Sequence, residues 1–258
     1  MKEKQIKINN IELNYKEYFQ ENSNKENILI IHWWWWKSNS WEEVAQKLSE
    51  KWFRVIVPDL PGFWKTKLPK VFTLDDYAEI IEKFVEKINL ENIILWGHSN
   101  WGAISIVLEN RAKIDIKRLV LNNSAGIRND KKRSLKRKIL QKVVKYFKFL
   151  KKIFIFKKLR IIFYKLIWGQ DYLNAEKNPA LKNTYLNMIS SDLSEKIKNI
   201  KKNTLIIWWE KDTYTPLSDW YFMRNNIKKS KMIILDNETH WIHLKNPDRL
   251  IETFLENI

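Results

Sequence analysis

The sequence predicts an α/β fold: a mostly parallel central sheet flanked by helices, with a helical cap inserted between strands. Two observations carry that reading. Short, β-branched apolar runs alternate with helical patterns along most of the chain, the signature of parallel strands covered on both faces. Residues 127–202 break the alternation, with several helical patterns and no convincing strand. The expected organisation is therefore a core domain, 1–126 and 203–258, and a helical cap (lid), 127–202.

The elements follow in order. "KQIKINNIELNYKEYF" (4–19) reads as two strands joined by a turn at Asn9–Asn10. "NILIIH" (27–32) is a continuous apolar run, as in a strand buried on both faces. "SWEEVAQKLSEK" (40–51) has helical periodicity and a serine able to cap it. "FRVIVPDL" (53–60) is a further buried strand. "TLDDYAEIIEKFVEKI" (73–88) is an amphipathic helix with a threonine cap and acids in its first turn. "NIILWG" (92–97) is a strand and "NWGAISIVLENR" (100–111) a helix. "IKRLVLNN" (116–123), "NTLIIWWE" (203–210) and "KMIILDN" (231–237) are three more strands, and "PLSDWYFMRNNI" (216–227) and "NPDRLIETFLENI" (246–258) are helices.

Composition bounds the chemistry. The 258 residues suffice for one sizeable core. There is no cysteine, hence no disulfide, thiol nucleophile or thiolate metal site. No histidine and carboxylate cluster has metal-ligand spacing, and no phosphate-cradling or dinucleotide glycine loop occurs. The opening "MKEKQIKINN" lacks the apolar run of a signal peptide, and no stretch is long and apolar enough to span a bilayer. The expected location is the cytoplasm. The formal charge of +17 comes with abundant Lys, Asn and Ile throughout, the mark of an AT-biased genome.

"LWGHSNWG" (95–102) carries the chemistry. It sits where a strand meets a helix. A serine at such a turn projects its hydroxyl from the carboxyl edge of the sheet, beside helix N–H groups that can stabilise an oxyanion. The expected spacing is G-x-S-x-G; here Gly97-His98-Ser99-Asn100 is followed by Trp101.

At this motif the chain resembles the α/β-hydrolase family, and the resemblance covers nearly all of it. Family members have a His-Gly stretch after an early strand, here His32-Trp33; a D-x-P-G-x-G turn, here "DLPGFW" (59–64); G-x-x-D near the penultimate strand, here "WEKD" (209–212); and G-H with a proline seven residues on, here His240 and Pro247. In nearly every one a glycine is written as tryptophan.

The chain has 14 Trp and 5 Gly, where average usage gives roughly eighteen glycines. Reading Trp33, Trp35, Trp36, Trp52, Trp64, Trp101, Trp209, Trp220 and Trp241 as glycine restores "HGWGG", "LPGFGK", "GHSNGG", "WGEKD" and "THGIHL". UGA specifies tryptophan in one variant genetic code and glycine in another. The sequence is thus read as that of a gene using UGA for glycine, translated with a table giving tryptophan. Trp34, Trp41 and Trp208 stand where the family accepts an aromatic and are kept as genuine; Trp96 and Trp168 stay open. The rival reading is a tryptophan-rich protein with a damaged elbow.

The resemblance assigns Ser99 as nucleophile, His240 as general base and Asp212 as the acid that orients it, in the chain order of this fold. Asp59, Asp219 and Asp236 compete with Asp212, which could instead cap the helix near Pro216; His243 competes with His240. His32 and His98 are read as structural. The oxyanion hole is assigned to the backbone N–H groups of Trp34 and Asn100. The activity implied is hydrolysis of an ester or related acyl bond of a small or lipid-like substrate, through an acyl-serine and with no cofactor. Alternatives are a carbon–carbon bond hydrolase or cofactor-free peroxidase of this fold, or a non-catalytic binding protein. A serine in place of aspartate argues against haloalkane dehalogenation.

Residues 128–165 hold sixteen Lys or Arg and one acid, interleaved with apolar residues at helical spacing. The plain reading is a cap helix pair with lysines lying along its apolar face. The sharper one is peripheral contact with an anionic membrane. No nucleic-acid motif accompanies the charge.

Overall fold

The computed structural model describes residues 1–21, 26–31, 38–128, 170–176, 178–212, 215 and 217–258. His32 to Trp36, Trp168, Pro216 and all of the basic run except Arg128 lie outside the described residues.

Eight strands form one sheet: β1 (Lys2–Ile8), β2 (Ile11–Tyr18), β3 (Asn27–Ile31), β4 (Arg54–Pro58), β5 (Ile93–His98), β6 (Ile116–Asn122), β7 (Asn203–Trp209) and β8 (Ser230–Leu235). Their spatial order is β1-β2-β4-β3-β5-β6-β7-β8. β1–β2 and β2–β4 pair antiparallel, and every pairing from β4 to β8 is parallel. The antiparallel start follows from the tight turn at Asn9–Asn10, where Asn9 takes φ 52°; a two-residue connection cannot join parallel strands.

Alternate residues of the central strands enter two cores. Leu29, Ile31, Leu95, Leu119, Leu121 and Ile206 face one side. Ile28, Ile30, Ile94, Val120, Leu205 and Ile207 face the other. Both faces are buried, which is why these strands read as unbroken apolar runs. The first face is covered by α2 (Leu74–Lys87) and α3 (Trp101–Arg111), the second by α1 (Glu42–Glu50) and the last helix, numbered α9 (Pro247–Leu255).

Local signals explain the helix ends. Thr73 Oγ1 accepts from the Asp76 N–H while Asp76 bonds back to the Thr73 N–H, a capping box that starts α2. Asn246 and Pro247 start α9 in a similar way, the Asn246 side chain accepting from the Arg249 N–H. The serine cap expected at residue 40 is not formed. A 3₁₀ turn, Ser38–Trp41, precedes α1, and Trp41 occupies the cap position with no side-chain bond.

Between β6 and β7 the described residues form helices α4 (Gln170–Ala175), α5 (Pro179–Ser190) and α6 (Ser194–Lys198). α7 (Leu217–Asn226) links β7 to β8, and α8 (Ile242–Lys245) precedes α9. Among the described residues no helix is long and apolar enough to cross a membrane.

Candidate active site

β5 ends at His98 and α3 begins at Trp101, so the chain reverses within two residues. Ser99 makes the reversal in the left-handed region, at φ 52°. Such a conformation costs a side-chain-bearing residue on the order of 1–3 kcal/mol and persists only where its surroundings enforce it. Three backbone bonds do so. The Ser99 N–H donates to Asn122 O (2.7 Å), and Ser99 O accepts from the N–H groups of Gly102 (2.8 Å) and Ala125 (2.9 Å). Ser99 is buried.

The close approach of α3 to the sheet rests on two glycines. A Cβ on Gly97 would lie 2.8 Å from Gly102 Cα, and one on Gly102 would overlap the Ser124 side chain. Trp101 does not occupy that contact. Its ring turns into the core and meets Phe63 (5.1 Å) and Tyr77 (5.4 Å) edge to face. The close approach falls one residue later, at a position that is glycine. Asn100, whose N–H was assigned to the oxyanion hole, occupies the cap position of α3 without a side-chain cap bond. Its N–H is among those a helix start leaves without an intrahelical acceptor. The other assigned donor, Trp34, lies outside the described residues.

Asp212 follows β7 and His240 follows β8, and the fold brings them together. His240 Nδ1 lies 2.6 Å from Asp212 Oδ2, with both side chains buried. Asp212 also accepts from Thr215, through its Oγ1 (2.9 Å, to Oδ2) and its N–H (3.2 Å, to Oδ1). Asp212 thus braces its own loop, ahead of the helix that begins at Leu217, while it meets His240. The competing acids are engaged elsewhere: Asp59 accepts from Asn14 Nδ2 (2.6 Å) and Asp236 pairs with Arg249. Asp219 is buried near the start of α7.

His240 is carried to the serine turn by packing. Its ring lies 4.8 Å from that of His98, the residue before Ser99. His98 in turn meets His243 (4.9 Å), which stacks flat on Trp41 (4.7 Å, 10°). Burial, reinforced by the neighbouring His240 and His243, holds His98 well below the usual histidine range. Burial, then His240, pushes His243 down to about 3. Both stay neutral near pH 7. Among the described residues no group of acids and histidines could hold a metal ion.

Two polar residues at this edge had no assigned role in the sequence reading. Thr215 braces Asp212 as described. Asn123, buried just beyond β6, donates through Nδ2 to the same Asp212 Oδ2 that His240 meets. The signal available was a polar pair, Asn122–Asn123, directly after the apolar run Leu119–Leu121.

Residues 26–247 match the alpha/beta hydrolase fold family. The chain belongs to that family. A 2-hydroxy-6-oxo-2,4-heptadienoate hydrolase of Pseudomonas putida is 23% identical over 231 residues, 84% of this chain and 83% of its own length. Among solved structures, a thermophilic esterase of Thermogutta terrifontis superposes with a TM-score of 0.73 at 16% identity, covering 99% of this chain and 97% of its own. A meta-cleavage product hydrolase of Pseudomonas fluorescens gives 0.71 at 21% identity, covering 98% and 96%. At such identities the structural likeness is one of fold.

Proposed function

We propose that this α/β hydrolase is a serine hydrolase that cleaves an ester or related acyl bond of a small or lipid-like substrate. The observation that carries the reading is the Asp212–His240 pair packed against His98, one residue before the strained turn at Ser99. In this reading Ser99 Oγ attacks the acyl carbon as His240 Nε2 takes its proton. Asp212 holds Nδ1 and stabilises the imidazolium. The backbone N–H groups of Asn100 and Trp34 receive the oxyanion. His240 then returns the proton to the leaving alcohol, and water releases the acyl group by the same steps. The chemistry needs no cofactor. Stopped-flow mixing with p-nitrophenyl acetate tests it: a burst of one nitrophenolate per active chain is expected, and its absence at saturating ester overturns the reading.

A second reading, carbon–carbon bond hydrolysis, is favoured by one observation. The Pseudomonas putida relative is a 2-hydroxy-6-oxo-2,4-heptadienoate hydrolase, and a structural neighbour is a meta-cleavage product hydrolase. Turnover of such a dienoate faster than of any ester would replace the first reading by this one.

The competent chain, in our reading, has glycine at 33, 35, 36, 52, 64, 101, 209, 220 and 241. Trp52 and Trp64 support this: both stand in the left-handed region, at φ 71° and 48°, with half-exposed side chains. Left-handed backbone costs a side-chain-bearing residue roughly 1–2 kcal/mol and costs glycine nothing comparable. The two described tryptophans kept as genuine make specific contacts. Trp208 Nε1 donates to Thr215 O (3.3 Å), and Trp41 stacks on His243. Trp96, left open, packs on Trp41 (5.8 Å) and Phe254 (4.6 Å).

A further inference from the structure

The tip of β6 touches both halves of the candidate site. Asn122 O accepts the Ser99 N–H (2.7 Å), fixing the serine turn. The next residue, Asn123, reaches the acid. It is fully buried and left-handed, at φ 39°. Its N–H donates to Ile207 O (3.0 Å), and its Oδ1 accepts the Trp209 N–H (3.1 Å), so the side chain prolongs the β6–β7 pairing past the end of β6. Its Nδ2 donates to Asp212 Oδ2.

We propose that Asn123 is a positioning residue that fixes the Asp212 carboxylate for His240 and sets its spacing from the Ser99 turn. The inference rests on the serine-hydrolase reading. The torsion that turns a carboxylate about its last bond is soft, so its orientation depends on the donors it meets. Thr215 belongs to the same short loop as Asp212, and its own tie to the sheet runs to the Trp208 side chain of β7, away from the serine turn. Asn123 belongs to the strand tip that also holds Ser99. An asparagine side chain suits this position, because an amide offers donor and acceptor at once and asparagine tolerates left-handed backbone. Aspartate keeps the acceptor for the Trp209 N–H but puts a second negative charge against Asp212. Glycine keeps the backbone conformation and removes both side-chain bonds.

The test uses the full chain with Asn123→Gly and Asn123→Asp, assayed with p-nitrophenyl acetate and by proton NMR of the His240 Nδ1–H, whose low-field resonance requires no turnover. In Asn123→Gly kcat is expected to fall about 10- to 100-fold with KM within about twofold, and the resonance to move upfield or broaden. In Asn123→Asp the added charge favours protonated His240, so the acidic limb of the kcat/KM profile shifts to higher pH by at least about half a unit. Unchanged kcat, limb and resonance in variants that melt like the parent overturn the proposal, as does unfolding of both variants, which makes Asn123 purely structural. A parent without an acyl burst but with a resonance that moves in the variants refutes the hydrolase reading while leaving the positioning contact standing.

Discussion

Asp212 and His240 stand 28 residues apart in the chain and 2.6 Å apart in space, one on the loop after β7 and the other after β8. Parallel strands make this meeting possible. Their carboxyl ends share one edge, so loops from β5, β7 and β8 open onto the same ground as Ser99. Asp212→Asn keeps the shape of the acid and removes its charge. It also sets a second amide against Asn123 Nδ2. The expected result is a fall in kcat for p-nitrophenyl acetate of about 10³- to 10⁴-fold. A loss smaller than about tenfold would mean that the contact is a loop brace without a catalytic part.

Ser99→Ala is expected to abolish turnover of short-chain activated esters and the nitrophenolate burst. Its melting temperature should hold, because the three bonds that fix the turn are all made by backbone groups. Full hydrolysis by the alanine variant would remove Ser99 from the nucleophile's role.

Much of this was legible in advance because the cues are local. Apolar runs marked the parallel strands, the Asn9–Asn10 turn split the first two, and the threonine with two acids at 73–76 marked the start of α2. The candidates Ser99, Asp212 and His240 could be named because each belongs to a short motif at a strand end. The serine cap at residue 40 failed because a 3₁₀ turn intervenes and moves the cap position to Trp41. Asn123 was only half legible: the polar pair at the strand end marks the place, but its value lies in a contact 89 residues away. The G-x-S-x-G spacing wants its second glycine at 101, where the chain has tryptophan. The geometry puts the tight helix–sheet contact on Gly97 and Gly102.

Those two glycines give a stability prediction. Gly102→Ala drives a methyl into the Ser124 side chain, and overpacking of this kind costs typically about 1–3 kcal/mol. The variant should melt several degrees lower. Adding Ser124→Gly, which removes the Oγ and Cβ it meets, should recover part of the loss. An unchanged melting temperature in Gly102→Ala would show that α3 can slide away from β6 at no cost.

His98 and His243 predict acid lability. Their folded pKa values are depressed, His243 to about 3, while both titrate near 6.5 when unfolded. The unfolded chain therefore binds more protons below about pH 6.5, and the stability these neutral rings contribute is present above that pH and lost as pH falls toward about 3. His243→Phe keeps the stack on Trp41 and removes the proton site. Its melting temperature should fall less between about pH 7 and pH 4.5 than that of the parent. Parallel curves would mean that His243 titrates normally in the folded chain.

The tryptophans supply the last prediction. The chain as written asks Trp52 and Trp64 to hold left-handed backbone, at roughly 1–2 kcal/mol each. It also asks the interior to hold Trp101, Trp209 and Trp220, which are buried. Trp101 is seated without overlap between Phe63 and Tyr77, so its replacement by glycine opens space there, next to Ser99. Trp241 stands edge-on to His240 at 5.5 Å, so glycine there frees one side of the candidate base. A domain's whole margin is only about 5–15 kcal/mol, and the two left-handed sites alone take a noticeable part of it. In the recoding reading the form with glycine at all nine positions is the natural one, so it should express as the more stable protein and hydrolyse p-nitrophenyl acetate faster. The form with all fourteen tryptophans should be insoluble or inactive. Peptide masses covering residues 28–51 from the native organism decide independently which residues at 33, 35 and 36 are real. Tryptophan masses there, together with a tryptophan form as stable and active as the glycine form, would end the recoding idea and leave Ser99 working in a tryptophan-rich site.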